Sequence, residues 1–166
     1  YGTQNPTAML LWGKCDSVWY AINEYYYSGR EHKRQKTDED YYADLVKLAD
    51  NHSIKSIIID PSAASMIACI KNHGKFRVKQ ADNAVLDGIR NTATALNAGT
   101  IKICDGCRRT IDEFDAYVWD EKVSARGEDK PIKENDHAMD ALRYFVQTVL
   151  IRGKVKTASR YELGIY

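Results

Sequence analysis

The segment Ile54 to Ile59 restricts the fold more than any other stretch, because it is β-branched, scarcely alternates between apolar and polar positions, and stops abruptly at Asp60-Pro61. Such a strand is buried on both faces, so it belongs inside a sheet covered by other elements above and below. The carboxylate of Asp60 is thereby placed at the carboxyl end of a central strand. Upstream, Thr7 to Gly13 and Ser17 to Tyr27 are rich in aromatic and aliphatic residues and flank the polar stretch Lys14-Cys15-Asp16, the pattern of an antiparallel hairpin. Thr37, followed by Asp38 and Asp40, opens a helix to about Asn51, since side-chain oxygens satisfy its first amides and acidic groups favour the positive end of its dipole. Beyond Asp60 the pattern predicts a helix over 62–72 closed by Gly74, a strand over 76–80, a helix over 83–97, a strand over 100–104 and a helix over 109–119. A polar loop over 127–133 precedes a last helix, capped by Asn135 or Asp136 and running to about Ile151. A hairpin followed by alternating helices and strands implies an α/β domain over 1–151, with a mixed sheet flanked by helices and a C-terminal extension over 152–166.

Composition removes several classes of function. No run approaches the roughly 18 apolar residues that span a bilayer, and Tyr1 to Trp12 lacks the charged flank and cleavage site of a signal peptide, so a cytosolic chain without a membrane partner is expected. A net charge of +1 supplies no general basic field. Any nucleic-acid partner must then be held by a local basic patch or through metal ions. Cys104 and Cys107 form one CxxC, but Cys15 and Cys69 stand far apart and offer no second pair, so reduced thiols are expected instead of a zinc cluster.

Chemistry concentrates in two places, Ile57-Ile58-Ile59-Asp60-Pro61 and Asp136-His137-Ala138-Met139-Asp140. Spacings of three and four put Asp136 and His137 on the helical face of Asp140, which a strand-end carboxylate such as Asp60 can oppose across a cleft. Asp140 lies among Ala138, Met139, Ala141 and Leu142, where an unpaired charge is costly to bury, so a partner or a cation is expected. Magnesium or manganese suits oxygen ligands, and two such ions about 4 Å apart can stabilise the attacking and leaving oxygens of a phosphoryl displacement. Each residue also has a plainer reading. Asp60 can end a strand in a turn, Asp136 can cap a helix, and His137 can pack or face solvent.

Four segments resemble one family. Tyr1-Gly2-Thr3-Gln4-Asn5-Pro6-Thr7 is similar to the end of the first active-site motif of the phage terminase large subunit nuclease domain, in the group that includes defective-prophage terminases. Ile59-Asp60-Pro61-Ser62-Ala63 resembles the second motif, and Lys133 to Tyr144 the third. Ala81 to Ile89 matches a further stretch typical of the group. The resemblance implies a ribonuclease H-like fold whose acidic cluster binds two magnesium or manganese ions and hydrolyses DNA with a metal-activated water. Asp60 and Asp140 correspond to the second and third metal-binding carboxylates, with His137 at the edge of the site and Asp136 beside it.

The family places a further aspartate immediately before the Tyr-Gly-Thr motif, on a central strand, whereas this sequence starts at Tyr1. Two open sheet edges are therefore expected, filled by another segment such as Tyr161 to Tyr166 or by a neighbouring molecule, or else a locally disturbed fold, and metal binding weaker than in an intact domain is expected in each case. Phosphate contacts are expected from Lys79, Lys133 and Arg143, with Arg77 and Lys130 as further candidates, whereas Arg30 to Lys36 reads as a solvated loop. No GxxxxGK[ST] occurs, so the ATPase domain implied by the family is a separate part of the full-length protein. Double-stranded DNA, the portal protein, the small terminase subunit and the procapsid are the other implied partners, in the host cytoplasm. Two alternatives stay open: another ribonuclease H-like nuclease such as a resolvase, and a non-catalytic docking fragment of a packaging motor.

Overall fold

The computed structural model describes residues 5–116 and 136–153. In chain order they form β1 (Thr7–Cys15), β2 (Val18–Tyr27), α1 (Asp38–Ala49), β3 (Ile57–Ile59), α2 (Ala64–His73), β4 (Val78–Gln80), α3 (Leu86–Asn97), β5 (Ile101–Ile103), α4 (Arg108–Ala116) and α5 (His137–Phe145), the last continued by a π-helical segment, Val146–Ile151. The hairpin turns through Asp16, which adopts a left-handed φ of 52°. β1 and β2 pair antiparallel, with a bulge where Leu11 opposes Asn23 and Trp12 opposes Ala21, so that Ile22 is extra. β5 joins β2 in parallel, and β3 pairs in parallel with β4.

Local chemistry explains the helix ends. Thr37 accepts from the amide of Asp40 at 3.2 Å while the Asp40 carboxylate accepts from the amide of Thr37 at 2.9 Å, a reciprocal cap at the start of α1. α2 ends at Gly74, whose φ of 69° suits a residue without a β-carbon. The last helix reaches Ile151 as expected, but it changes pitch after Phe145.

Two cores lie on opposite faces of the strands. Tyr41, Tyr42 and Leu45 of α1 and Met66 and Ile70 of α2 pack with Met9, Ile57 and Ile59. Met139, Leu142 and Phe145 of α5 with Ala95 of α3 pack with Leu10, Trp12 and Ile58. Alternate residues of β1 and of β3 thus enter the same two cores, which places both strands in one layer between two helical layers. The expected mixed sheet is present in two ladders, β1-β2-β5 and β3-β4, with no pairing between β1 and β3 among the described residues. Both strands border one groove instead. Of the central strand read from Ile54 to Ile59, the three residues of β3 pack toward both cores but are half-buried, β3 pairs on one side only, with β4, and Ile54 packs on the first core outside the strand. Tyr161 to Tyr166, and most of the 152–166 extension, lie outside the described residues; Arg152 pairs with Asp82 at 2.8 Å.

Candidate functional site

Asp60 leaves the end of β3 and is fixed at both carboxylate oxygens. The amide of Ser62 donates to Oδ1 at 2.7 Å, closing a turn that the following proline permits, and the hydroxyl of Tyr144 donates to Oδ2 at 2.5 Å. Burial pushes the Asp60 carboxyl upward, but hydrogen bonds from Ser62, Tyr144 and Asn83 outweigh it and hold the group below its ordinary value, so it is ionised at neutral pH. Tyr144 belongs to α5, one turn beyond Asp140. Burial, the bond to Asp60 and the field of Asp140 all raise the phenol's pKa, which keeps its proton on the oxygen that faces Asp60.

Asp140 accepts from Arg143 at 2.6 Å, and its side chain keeps 36% exposure. Arg143 is only 5% exposed. Its other terminal nitrogen donates to the carbonyls of Asn83 and Ala84 at 2.8 Å each, and its guanidinium lies 4.8 Å from the Tyr144 ring centroid. The expected phosphate contact by Arg143 therefore does not fit its placement: the side chain is buried and its charge is spent on Asp140 and on the turn before α3. Gly88 leaves the room for it, since a β-carbon there would stand 2.5 Å from Cγ of Arg143.

His137 and Asp136 sit half-buried at the start of α5. Burial lowers the His137 pKa against the opposing pull of Asp136 and Asp140, so the imidazole is neutral at pH 7 and carries a lone pair. Asp136 occupies the N-cap position, but its side chain makes no capping bond. The cap comes from Glu113 of α4, whose carboxylate accepts from the amides of Ala138 at 2.6 Å and Met139 at 3.1 Å. This buried residue is absent from the sequence reading, because a cap supplied from a separate helix leaves no local signature. Burial raises its pKa against the opposing pull of Tyr26 and the two amides.

Asp60, Asp136, His137, Asp140 and Tyr144 all line the groove between β1 and β3, whose volume is about 1780 Å³. Lys79 is exposed on the groove wall, as are Lys55 and Arg30, whereas Arg77 is exposed outside the lining. Lys130 and Lys133 lie outside the described residues. Within the basic run, Lys36 is anchored away from solvent: it bonds Asp44 and Tyr25 and lies 4.4 Å from the Tyr27 ring centroid. Cys107 of the CxxC is buried, its thiol donates to the carbonyl of Ala21 at 3.4 Å, and burial pushes its pKa to about 11. It packs as a core thiol.

Residues 15–148 match the sequence profile described as the terminase RNaseH-like domain. The chain belongs to that family. Among solved structures, this terminase domain resembles the large terminase of a thermophilic bacteriophage determined with ADP, at 54% identity and a TM-score of 0.87 over 90% of this chain and 38% of that one. The same phage protein with ATP-gamma-S gives a TM-score of 0.86 at the same identity and coverage. A different crystal form of that terminase also gives 0.86, with 54% identity over 90% of this chain and 37% of that one. The terminase domain thus spans well under half the length of these structural relatives. No curated protein matches it. The family assignment and the likeness at 54% identity establish the ribonuclease H-like fold and place the chain within a phage large terminase.

Proposed function

We propose that this domain is an endodeoxyribonuclease dependent on magnesium or manganese, which cuts concatemeric double-stranded DNA during phage genome packaging. One observation carries the reading: Asp60, from a strand end, and Asp140, from a helix, open into one groove, and Tyr144, one turn beyond Asp140 on that helix, donates to Asp60. The donor set fits hard divalent cations, since it offers an ionised carboxylate, a second carboxylate one-third exposed and a neutral imidazole. Asp60, Asp140 and His137, with Asp136 beside them, are the residues that would hold such ions. When bound, two divalent cations lower the pKa of a water and neutralise charge developing on the phosphate.

The remaining work falls to the chain itself. Tyr144 keeps Asp60 in one orientation, and Arg143 does the same for Asp140. His137, neutral and beside the two helix carboxylates, can accept a hydrogen bond from a water in the groove. Lys79 and Lys55 supply cationic contacts to a phosphate backbone without reading sequence. The lane between β1 and β3 is where the family's first metal-binding carboxylate would enter, on one more strand. An ATPase domain, the portal protein, the small terminase subunit, the procapsid and a host-cytoplasmic setting belong to the same proposal.

The test is nicking of supercoiled plasmid with manganese. Asp60→Ala and Asp140→Ala each cut the rate at least about a hundredfold, the order of effect when charge stabilisation at a transition state is removed. Equal nicking by both variants and the parent would defeat the assignment. Failure to nick by a parent that carries the family's aspartate before the Tyr-Gly-Thr motif would instead favour a docking role.

A further inference from the structure

Outside the lining of the acidic groove, three side chains of different chemistry converge between α1 and α2. Glu39 comes from the first turn of α1, while Cys69 and His73 stand one turn apart on one face of α2. One oxygen of Glu39 lies 3.5 Å from Sγ of Cys69 and the other 2.8 Å from Nε2 of His73. All three ligand atoms lie within 4.8 Å of one another. None of the three lines the groove.

We propose that Glu39, Cys69 and His73 form a zinc site, with three protein ligands and a fourth position open to water, which braces α1 against α2. Bond lengths of about 2.3 Å to sulfur and 2.0–2.2 Å to nitrogen or oxygen put tetrahedral ligand atoms about 3.4–3.6 Å apart. Glu39 meets the sulfur through one oxygen at 3.5 Å and the imidazole through the other at 2.8 Å, so ligation through a single oxygen requires its carboxylate to turn, a rotation available to a side chain that is 70% exposed. The imidazole is pre-oriented, because its ring stacks on Tyr42 at 3.8 Å with an interplanar angle of 7°. Cys69 is buried among the residues of the first core, which shields the sulfur from bulk water on one side. Thiolate and imidazole together select a borderline-soft ion, whereas the groove offers mainly carboxylates and selects a hard one. The two sites would therefore sort metals by ligand chemistry. Binding exchanges the thiol proton for the cation, with the proton released to buffer.

Cobalt(II) added to the full chain reports on the sulfur directly, through a near-ultraviolet thiolate charge-transfer band that a carboxylate site cannot produce. The expected result is a band saturating at one cobalt per chain, displaced by zinc and unaffected by excess magnesium. Cys69→Ser abolishes it, and Glu39→Gln and His73→Gln weaken cobalt affinity at least about tenfold. Cys104→Ser and Asp140→Asn leave it unchanged. The two exposed-ligand variants keep the experiment decisive if Cys69→Ser disturbs the fold. Absence of the band in the parent chain overturns the proposal, as does equal affinity in Glu39→Gln and His73→Gln, or a band that survives in Cys69→Ser and vanishes in Cys104→Ser.

Discussion

Nine residue pairs join β1 to β2, whereas three join β3 to β4, yet the strand-borne acidic residue of the groove hangs from the shorter ladder. The long hairpin is the better braced: nine backbone pairs join its strands, β5 extends it, and its side chains serve the two cores. The short ladder has too few backbone bonds to fix a carboxylate alone, since pairs of so few residues are marginal by themselves. Side chains supply the missing rigidity. Tyr144 holds Asp60, Arg143 holds Asp140 to the turn before α3, and Glu113 holds the start of α5. Precision at the site therefore resides in α5 and its contacts more than in the sheet.

Removing a member of that network is the most direct way to break the contrast. Arg143→Met leaves Asp140 and two carbonyls without their buried partner, and a loss of about 3–5 kcal/mol is expected, on the order of 10 °C in Tm by calorimetry. A drop under about 2 °C would show that Arg143 is dispensable to the fold.

Matched glycine substitutions sharpen the comparison. Gly88→Ala drives a β-carbon into Cγ and Cδ of Arg143, at 2.5 and 2.6 Å, neither being the free end of that side chain. The expected cost is about 1–3 kcal/mol, accompanied by loss of nicking as Asp140 loses its anchor. Gly13→Ala, on the hairpin, meets only Ile22 at 3.6 Å, an ordinary contact. Its effect should stay within about 0.5 kcal/mol. Denaturant melts in which the two changes cost the same would contradict the division of labour between the halves.

Within the network itself the mildest change is Tyr144→Phe, which deletes one hydroxyl. About 1 kcal/mol of stability is expected to go, since the bond reaches a charged but partly solvated carboxylate. The acid response should change with it. The folded pKa of Asp60 is depressed below 3.8, so the stability it contributes is complete above that value and drains as pH falls through the lower folded value. Losing Tyr144's hydroxyl brings the folded pKa nearer to 3.8 and leaves less to drain. The fall in Tm from pH 6 to pH 2 should therefore be shallower in Tyr144→Phe than in the parent; parallel curves would mean that the hydroxyl does not tune Asp60.

What sequence reveals divides along the same line. The Thr37 cap, the Gly74 stop, the triple isoleucine of β3 and the pairing of Asp60 with the Asp140 helix are legible because each depends on neighbours in the chain or on a motif. Glu113 is not legible, since its acceptors at Ala138 and Met139 are supplied by another helix. Arg143 shows its i,i+3 relation to Asp140 in the sequence, but burial decides between ion pair and phosphate contact, and burial is tertiary. Lys36 likewise looks solvated until Tyr25 and Tyr27 close over it. The separation of the sheet into two ladders rests on which edges meet, and no local pattern of apolar residues contains that.

The π-helical stretch after Phe145 has a consequence of its own. Gln147 and Thr148 are adjacent, and both are 4% exposed. Gln147 accepts from Asn91 on α3 at 3.0 Å, while Thr148 accepts from the amide of Asp82 at 3.0 Å. Both consecutive side chains reach inward from this stretch, whose i→i+5 bonding takes one more residue into each hydrogen-bonded loop than an α-helix does. Excising a single residue there would restore the tighter coil, swing one of these grips outward, and release either α3 or the segment that leads into it.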